Sequence, residues 1–438
     1  MDMDLDTCYN SIMKIDIHPE LVRQQQYSCR KCARGCRSFI VPLRKGEAES
    51  IEDLKDWRSF LGAVALFSKN KMSRQTGKAL AKRDDGACVF LGSDNLCEIH
   101  RHFGLKAKPL ACQLYPFVLT PVAGKMRVGL RFDCPAVCEN EGQTLASYHK
   151  ELKDFLPELV PTGLNVSNDM APDVMPSVRL ESWRFEVLNE SLLKIAGSNA
   201  MSLLQRLHWI RKFVEHVEQV KWAKVNDEEF RELVKLFEGG LLAEVQQSAP
   251  VRRLPKARAR KLLGQVFFLL SQPAVRPTIA DASFMKKLSV RIGDAGQLKC
   301  LTKVSGPLPG VRPEWPDCDM SQLEASFGDW PVDVEEMVTR YLVCRIGGVG
   351  YCGPNFYDFS MVEGMRSLLL GLVSLGWFMR IAALAAGRAS LELADAHQAV
   401  MILDGNLGYS PALGVGPSRL RLKYLSEHLE DLLNWYCQ

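Results

Sequence analysis

A mainly α architecture, with an irregular cysteine-rich N-terminal domain followed by an all-α helical domain, is the fold class expected of this 438-residue chain. Three observations lead there. Eight of the 14 cysteines fall between residues 29 and 138. That stretch carries turn chemistry and little sustained periodicity. Beyond about residue 186, apolar residues recur at helical spacing in one segment after another. The expected organisation is a cysteine-rich domain over 1–150, a linker over 151–185 and a helical domain over 186–438.

Within the first domain one helix is expected over about 50–68, where Ile51, Leu54, Trp57, Phe60 and Leu61 repeat at helical intervals. The loop-rich stretch after it, with "DDGA" and "GSDN", buries little apolar surface per residue. The linker is read from Pro157, Pro161, Pro172 and Pro176 in the 151–185 window. In the helical domain, Leu203, Leu207, Ile210, Val214 and Val217 form one apolar stripe. "NDEEFRELVKLFEGG" supplies an N-cap at Asn226, Glu229 three residues on, and an expected stop at Gly239. "ARKLLGQVFFLL", "VEEMVTRYLVCRI", the 361–389 segment and "SRLRLKYLSEHLEDLLNWY" are further helices. No internal repeat is present.

Composition bounds the function. Apolar residues at 47% and charged residues at 24% describe an ordinary soluble globular balance. A net charge of +4 is too mild to call for nucleic acid. The six bases in ten residues of "RRLPKARARK" (252–261) read as a solvated helix entrance, with an acidic partner as the sharper alternative. Aromatic interleaving is missing there, so a nucleic-acid partner is not expected. "MDMDLDTCYN" lacks the basic start and apolar run of a secretory signal. The apolar run 367–379, between Arg366 and Arg380, is 13 residues long against the roughly 20 that span a bilayer, so a core helix is expected. The expectation is a cytoplasmic protein with no membrane partner.

In a reducing compartment, clustered cysteines point to metal ligation or catalysis rather than disulfides. The spacing is Cys29-x2-Cys32-x3-Cys36, then Cys88-x8-Cys97, Cys112 and Cys134-x3-Cys138. Two or three intervening residues let neighbouring thiolates converge on one ion or cluster. Metal binding would also supply folding free energy that a loop-rich segment lacks. Arg30, Lys31, Arg34 and Arg37 are expected to favour thiolate over thiol. All eight cysteines are candidate metal ligands, in one centre or two. Histidines are scarce here; His100 and His102 are at most auxiliary ligands, and His208 and His216 are read as structural. Many thiolates and few imidazoles favour an iron–sulfur cluster, of the 4Fe-4S type, over zinc, although thiolates suit both. Cys8, Cys300, Cys318, Cys344, Cys352 and Cys437 are isolated and read as small hydrophobes. A thioredoxin-like role for Cys29 and Cys32 lacks its βαβ context.

"CRKCARGC" followed by "CVFLGSDNLCEIHRHFGLKAKPLACQLYPF" resembles the YkgJ-type cysteine-cluster family of zinc or iron chelators. Matching positions are Cys29, Cys32, Cys36, Cys88, Cys97, Pro109, Cys112, Tyr115 and Pro116. The chain departs from that pattern at Lys108 and Gln113, where arginine is common, and at Cys36, where many members carry paired cysteines. The resemblance covers about residues 27–138. The C-terminal half, from "VTRYLVCRIGGVGYCGPNFYDFS" onward, is similar to the flagellin lysine-N-methylase group. That second resemblance implies a metal cluster engaged in methyl transfer to a protein substrate, with S-adenosylmethionine as cofactor. The residues themselves add little to it. Gly348-x-Gly350-x-x-Gly353 is followed at once by Pro354 and reads as a turn between helices, not a donor-binding loop. Catalytic and donor-binding residues are not assignable from the sequence. A non-enzymatic metal-binding interaction module and a thiol-based redox sensor are the competing functions. Tyr115 and Phe117 are expected to pack over the thiols and exclude water.

Overall fold

The computed structural model describes residues 13–55, 57, 61–62, 64–69, 76–159, 171–247, 251–273 and 284–438. Cys8, Phe60 of the expected 50–68 helix and Pro161 of the expected linker lie outside the described residues. The chain is mostly α, and its N-terminal region carries three small sheets that the expectation of an irregular domain did not include.

The largest sheet pairs β1 (Lys14–Asp16) parallel to β6 (Lys125–Leu130), which pairs antiparallel to β5 (Phe117–Val122). Ala123 and Gly124, with φ of 51° and 71°, make the two-residue turn that a right-twisted hairpin favours. β2 (Gln26–Tyr27) pairs with β7 (Gln143–Thr144), and β3 (Phe67–Lys69) pairs with β4 (Lys78–Leu80). The expected 50–68 helix is interrupted. Glu47–Glu52 is helical, the chain turns over 53–55, and Trp57 and Leu61 are helical again. Gly62 takes a φ of 69° that L side chains avoid, and the last two residues of the range belong to β3.

In chain order the helices used below are α1 (Pro19–Gln24), α2 (Arg34–Ser38), α3 (Glu47–Glu52), α4 (Glu98–Phe103), α5 (Leu110–Leu114) and α6 (Pro135–Cys138). The helical part then contains α7 (Ser182–Ala196), α8 (Leu203–Gln219), α9 (Asp227–Gln247), α10 (Ala257–Ser271), α11 (Phe284–Lys303) and α12 (Val332–Gly347). It ends with α13 (Met361–Ala385), α14 (Leu393–Asn406), α15 (Gly416–Ser426) and α16 (Leu429–Tyr436).

Asn226 caps α9 as expected, its Oδ1 accepting the Glu228 and Glu229 N–H groups at 3.0 Å. The expected stop at Gly239 does not occur. The helix continues through Gly239 and Gly240 to Gln247, and neither glycine takes a positive φ. Helix α13 is long and apolar enough to cross a membrane, yet 83% of its most apolar window is buried inside the protein. Its Arg380 is fully buried and donates to the carbonyls of Leu323 at 2.8 Å and Trp435 at 3.1 Å. Gly376 lets α16 press close: a Cβ there would stand 2.1 Å from the Tyr436 carbonyl oxygen.

One core joins the hairpin and α6 to the helices: Leu130, Phe132, Val137 and Cys138 are buried in the same cluster as Leu188, Leu207, Leu342 and Leu372. Three hydrogen bonds fasten that junction. The Leu130 N–H donates to Cys344 Sγ at 3.1 Å, the Phe132 N–H to Asp404 Oδ2 at 2.7 Å, and Arg340 Nη2 to the Cys138 carbonyl at 2.9 Å. The "GGVG" turn lies here too. A Cβ on Gly348 would meet Gly129 Cα at 2.6 Å, so this glycine permits a strand-to-helix approach. Within the expected linker, Ala171, Val174 and Leu180 are buried, and the Asp173 and Val174 carbonyls accept the first N–H groups of α13. A second, smaller core of Val41, Leu43, Ile51, Leu80, Phe90 and Ile99 supports the cysteine region.

Candidate metal centre

Four chain segments carry the clustered cysteines. In the first, β2 leads to Cys29, and Lys31 and Ala33 take left-handed φ of 54° and 57° before α2 begins. Those reversals curl the three-cysteine limb tightly, at a cost that non-glycine residues bear only when surroundings impose it. The second segment is locked by bridges pairing Lys82 with Cys88 and Leu91 with Cys97, and by the Gly92 N–H donating to the Leu96 carbonyl at 2.8 Å. The Cys88 N–H donates to the Cys36 carbonyl at 2.8 Å, joining the first two segments. The third is α5, whose Leu110 N–H donates to Glu47 Oε1 at 2.8 Å and so sets Cys112 against α3. In the fourth, Cys134 immediately precedes α6, and its sulfur faces the Ala136 and Val137 N–H groups.

These segments enclose a cavity of about 190 Å³ lined by seven thiols: Cys29, Cys32, Cys36, Cys88, Cys97, Cys112 and Cys134. Among its described lining residues none is Asp or Glu, and His100 is the one imidazole. Cys138 is not on this wall. It is fully buried, and its Sγ donates to the Phe132 carbonyl at 2.8 Å. The described cysteines are all free thiols. No three ligand-type side chains among the described residues converge on one ion-sized point, so binding requires the thiols to draw inward.

Burial raises the thiols' proton affinity. It pushes Cys88 and Cys134 up to about 11 and lifts Cys36 and Cys112 as well. N–H groups at Phe90 (for Cys88), and at Val137 and Ala136 (for Cys134), oppose this by donating to sulfur. The cations beside the deeper thiols are Lys82 and Lys108. Lys82 Nζ also donates to the Cys36 carbonyl at 2.7 Å, and burial lowers its own proton affinity. Sequence reasoning missed both lysines, since neither lies in the first cysteine limb.

Three of the arginines and lysines expected to activate the thiols are engaged elsewhere. Arg30 pairs with Glu139 and Glu141, Arg34 donates to the Asp133 carbonyl at 3.2 Å, and Arg37 lies 3.6 Å from Asp85. Their work is to dock the limb onto other segments. His100 lines the cavity, with burial, Lys108 and Lys31 lowering its proton affinity, whereas His102 pairs with Glu98 at 3.2 Å. His208 and His216 are structural, bonding Asn434 at 2.7 Å and the Lys212 carbonyl at 2.8 Å. Tyr115 covers the thiols as expected. Phe117 instead packs with Tyr27 and Tyr148. Phe39, unsignalled in the sequence, packs on Tyr115 with ring centroids 5.1 Å apart and planes inclined at 38°.

The Phe39–Tyr115 pair also lines a second cleft of about 530 Å³, with Ile40, Leu114, Arg131 and Tyr409. The Arg131 guanidinium lies 3.9 Å over the Tyr409 ring and grips Asp133 at 3.1 and 2.6 Å. Burial raises the proton affinity of the Asp133 carboxyl, which Arg131 opposes and Asp404 reinforces.

Residues 28–139, about a quarter of the chain, match the CxxCxxCC family model, described as "Putative zinc- or iron-chelating domain". No curated protein and no solved structure matches the chain. The family match supports metal binding by the cysteine region and does not distinguish zinc from iron.

Proposed function

We propose that the chain is an iron–sulfur protein whose cluster sits in the cysteine-lined cavity. The observation that carries this reading is the donor set: seven thiols and one imidazole line a single cavity with no lining carboxylate among the described residues. Soft thiolates with few competing hard ligands suit an iron–sulfur cluster. N–H groups aimed at Cys88 and Cys134, with Lys82 and Lys108 nearby, would offset thiolate charge and tune the centre. When bound, the cluster supplies electron transfer or a Lewis-acidic iron. The chain's own residues hold it, shield it beneath Tyr27, Phe39, Phe90 and Tyr115, and leave Cys29 and Cys32 toward solvent.

A protein-modifying role, methyl transfer in particular, rests on the resemblance of the C-terminal half. The 530 Å³ cleft supports it by offering a second reactant room beside the thiols. The "GGVG" turn does not contribute a donor site, because Gly348 is packed on Gly129.

Anaerobic purification followed by metal and sulfide analysis tests the cluster. A brown protein with iron and acid-labile sulfide is expected; a colourless protein with stoichiometric zinc overturns iron–sulfur and leaves a zinc module. Labelled S-adenosylmethionine with candidate protein substrates tests the modification, and no transfer by cluster-loaded protein removes it.

A further inference from the structure

We propose that the cavity divides its thiols into two sets with separate metals. The inner set is Cys36, Cys88, Cys97 and Cys112. The outer set is Cys29, Cys32 and Cys134, three thiols without a fourth, which exchange a soft divalent cation with solvent. This rests on the thiolate-metal reading above.

The backbone draws the first division. The Cys36 carbonyl accepts both the Cys88 N–H at 2.8 Å and Lys82 Nζ at 2.7 Å, so these two cysteines are tied to each other. Cys97 closes the same short loop as Cys88 through its bridge to Leu91. Cys112 has Cys88, Cys36 and Cys97 as thiol neighbours. On the other side, Cys134 has Cys32 among its neighbours, and Tyr27 interacts with both Cys29 and Cys134. The two sets approach each other where Cys32 stands near Cys36.

Accessibility sets two outer thiols apart. Cys29 and Cys32 are exposed, whereas Cys36, Cys97 and Cys112 are half-buried and Cys88 and the third outer thiol, Cys134, are buried. The sequence offers Cys138 as the fourth outer ligand, four positions after Cys134. The structure turns it away: its Sγ donates to the Phe132 carbonyl inside the shared core. A four-thiolate set is coordinatively closed for a tetrahedral ion or a cluster. A three-thiolate set keeps one position for solvent or an incoming ligand. Lys31 lines the cavity beside Cys32 and can balance the outer charge when the thiols ionise, Arg30 and Arg34 being engaged with other segments.

Cadmium titration of the full-length, chelator-stripped protein under anaerobic conditions tests this, read by thiolate-to-metal absorbance and by release to a chelator. Wild type should take up about two Cd²⁺ per chain, one per thiolate set, and release them in a fast and a slow phase. The Cys29→Ser/Cys32→Ser variant should lose one equivalent and the fast phase only. Cys138→Ser should keep both equivalents. Cys36→Ser/Cys112→Ser should lose the slow phase; should that variant fail to fold by circular dichroism, the rim variant and Cys138→Ser still decide the question. A single release phase abolished by the rim variant overturns the division and leaves one metal centre standing. Loss of the fast phase in Cys138→Ser likewise overturns the three-thiol outer set. No cadmium uptake by wild type overturns the metal reading itself.

Discussion

Lys82, two residues beyond β4 and bridged to Cys88, places its Nζ 2.7 Å from the carbonyl oxygen of Cys36. This ammonium sits beside Cys88, Cys36 and Cys112, yet burial works against its charge. Metal-bound thiolates would restore the reason for that charge. Lys82→Met keeps the aliphatic stem and removes the cation and the hydrogen bond. Metal affinity should fall about 10–100-fold, the usual effect of losing an outer partner of a ligand. Competition with a chromogenic chelator measures it; unchanged affinity would assign Lys82 to packing alone.

Cysteines in the cavity and cysteines outside it should separate cleanly. Cys112→Ser should lower metal content and reduce the stability of the N-terminal region, because bound metal contributes folding free energy there. Cys318→Ser, at a half-buried thiol far in sequence from the cluster, should retain full metal content. Elemental analysis with thermal melts of both variants decides it. Equal losses in the two would break the assignment.

The thiols make the stripped protein sensitive to alkali. Cys88 and Cys134 hold their protons up to about 11 in the folded chain, against 9.0 unperturbed. A folded-state value above the unfolded one contributes stability that is complete below pH 9 and disappears as pH rises through about 11. The denaturant midpoint of metal-free protein should therefore fall across this window. Loaded protein should resist that fall, since its thiols have already given up their protons to the solution on binding. A flat midpoint in the stripped protein would show that these thiols are not buried as described.

Close helix packing offers a test away from the metal. Gly376→Ala directs a methyl group to 2.1 Å from the Tyr436 carbonyl, a contact that backbone must move to relieve. A destabilisation of about 3 kcal/mol is expected from such overpacking, with metal content unchanged. Chemical denaturation measures the first and elemental analysis the second.

The helical character of the chain was legible because stripes such as Leu203 to Val217 report a buried face directly. The candidate ligands were legible too, since cysteine clustering carries its own chemistry. What escaped were features set by distant contacts. The helix expected over 50–68 is interrupted after Glu52, and its last two residues join β3, which β4 holds through the Phe67–Leu80 and Ser68–Ala79 pairs. Gly239 does not end α9, for helix propensity is a weak signal when neighbours supply the packing. Cys138 looks like its companions in spacing, and only the fold reveals that its sulfur faces the Phe132 carbonyl. Phe39, three residues past Cys36, and Lys82, six before Cys88, carry no ligand chemistry of their own, and only the fold shows them at the site.

The Phe132–Asp404 hydrogen bond sets a schedule. The two residues lie 272 positions apart, so at about 5–20 residues per second a ribosome needs roughly 15–50 s between them. For that interval the segment carrying Cys134 and Cys138 exists without the buried carboxylate that anchors it. The inner loop of Cys36, Cys88, Cys97 and Cys112 is complete long before. Nascent chains can thus acquire metal at the inner thiols while the outer limb still waits for the C-terminal helices to be born.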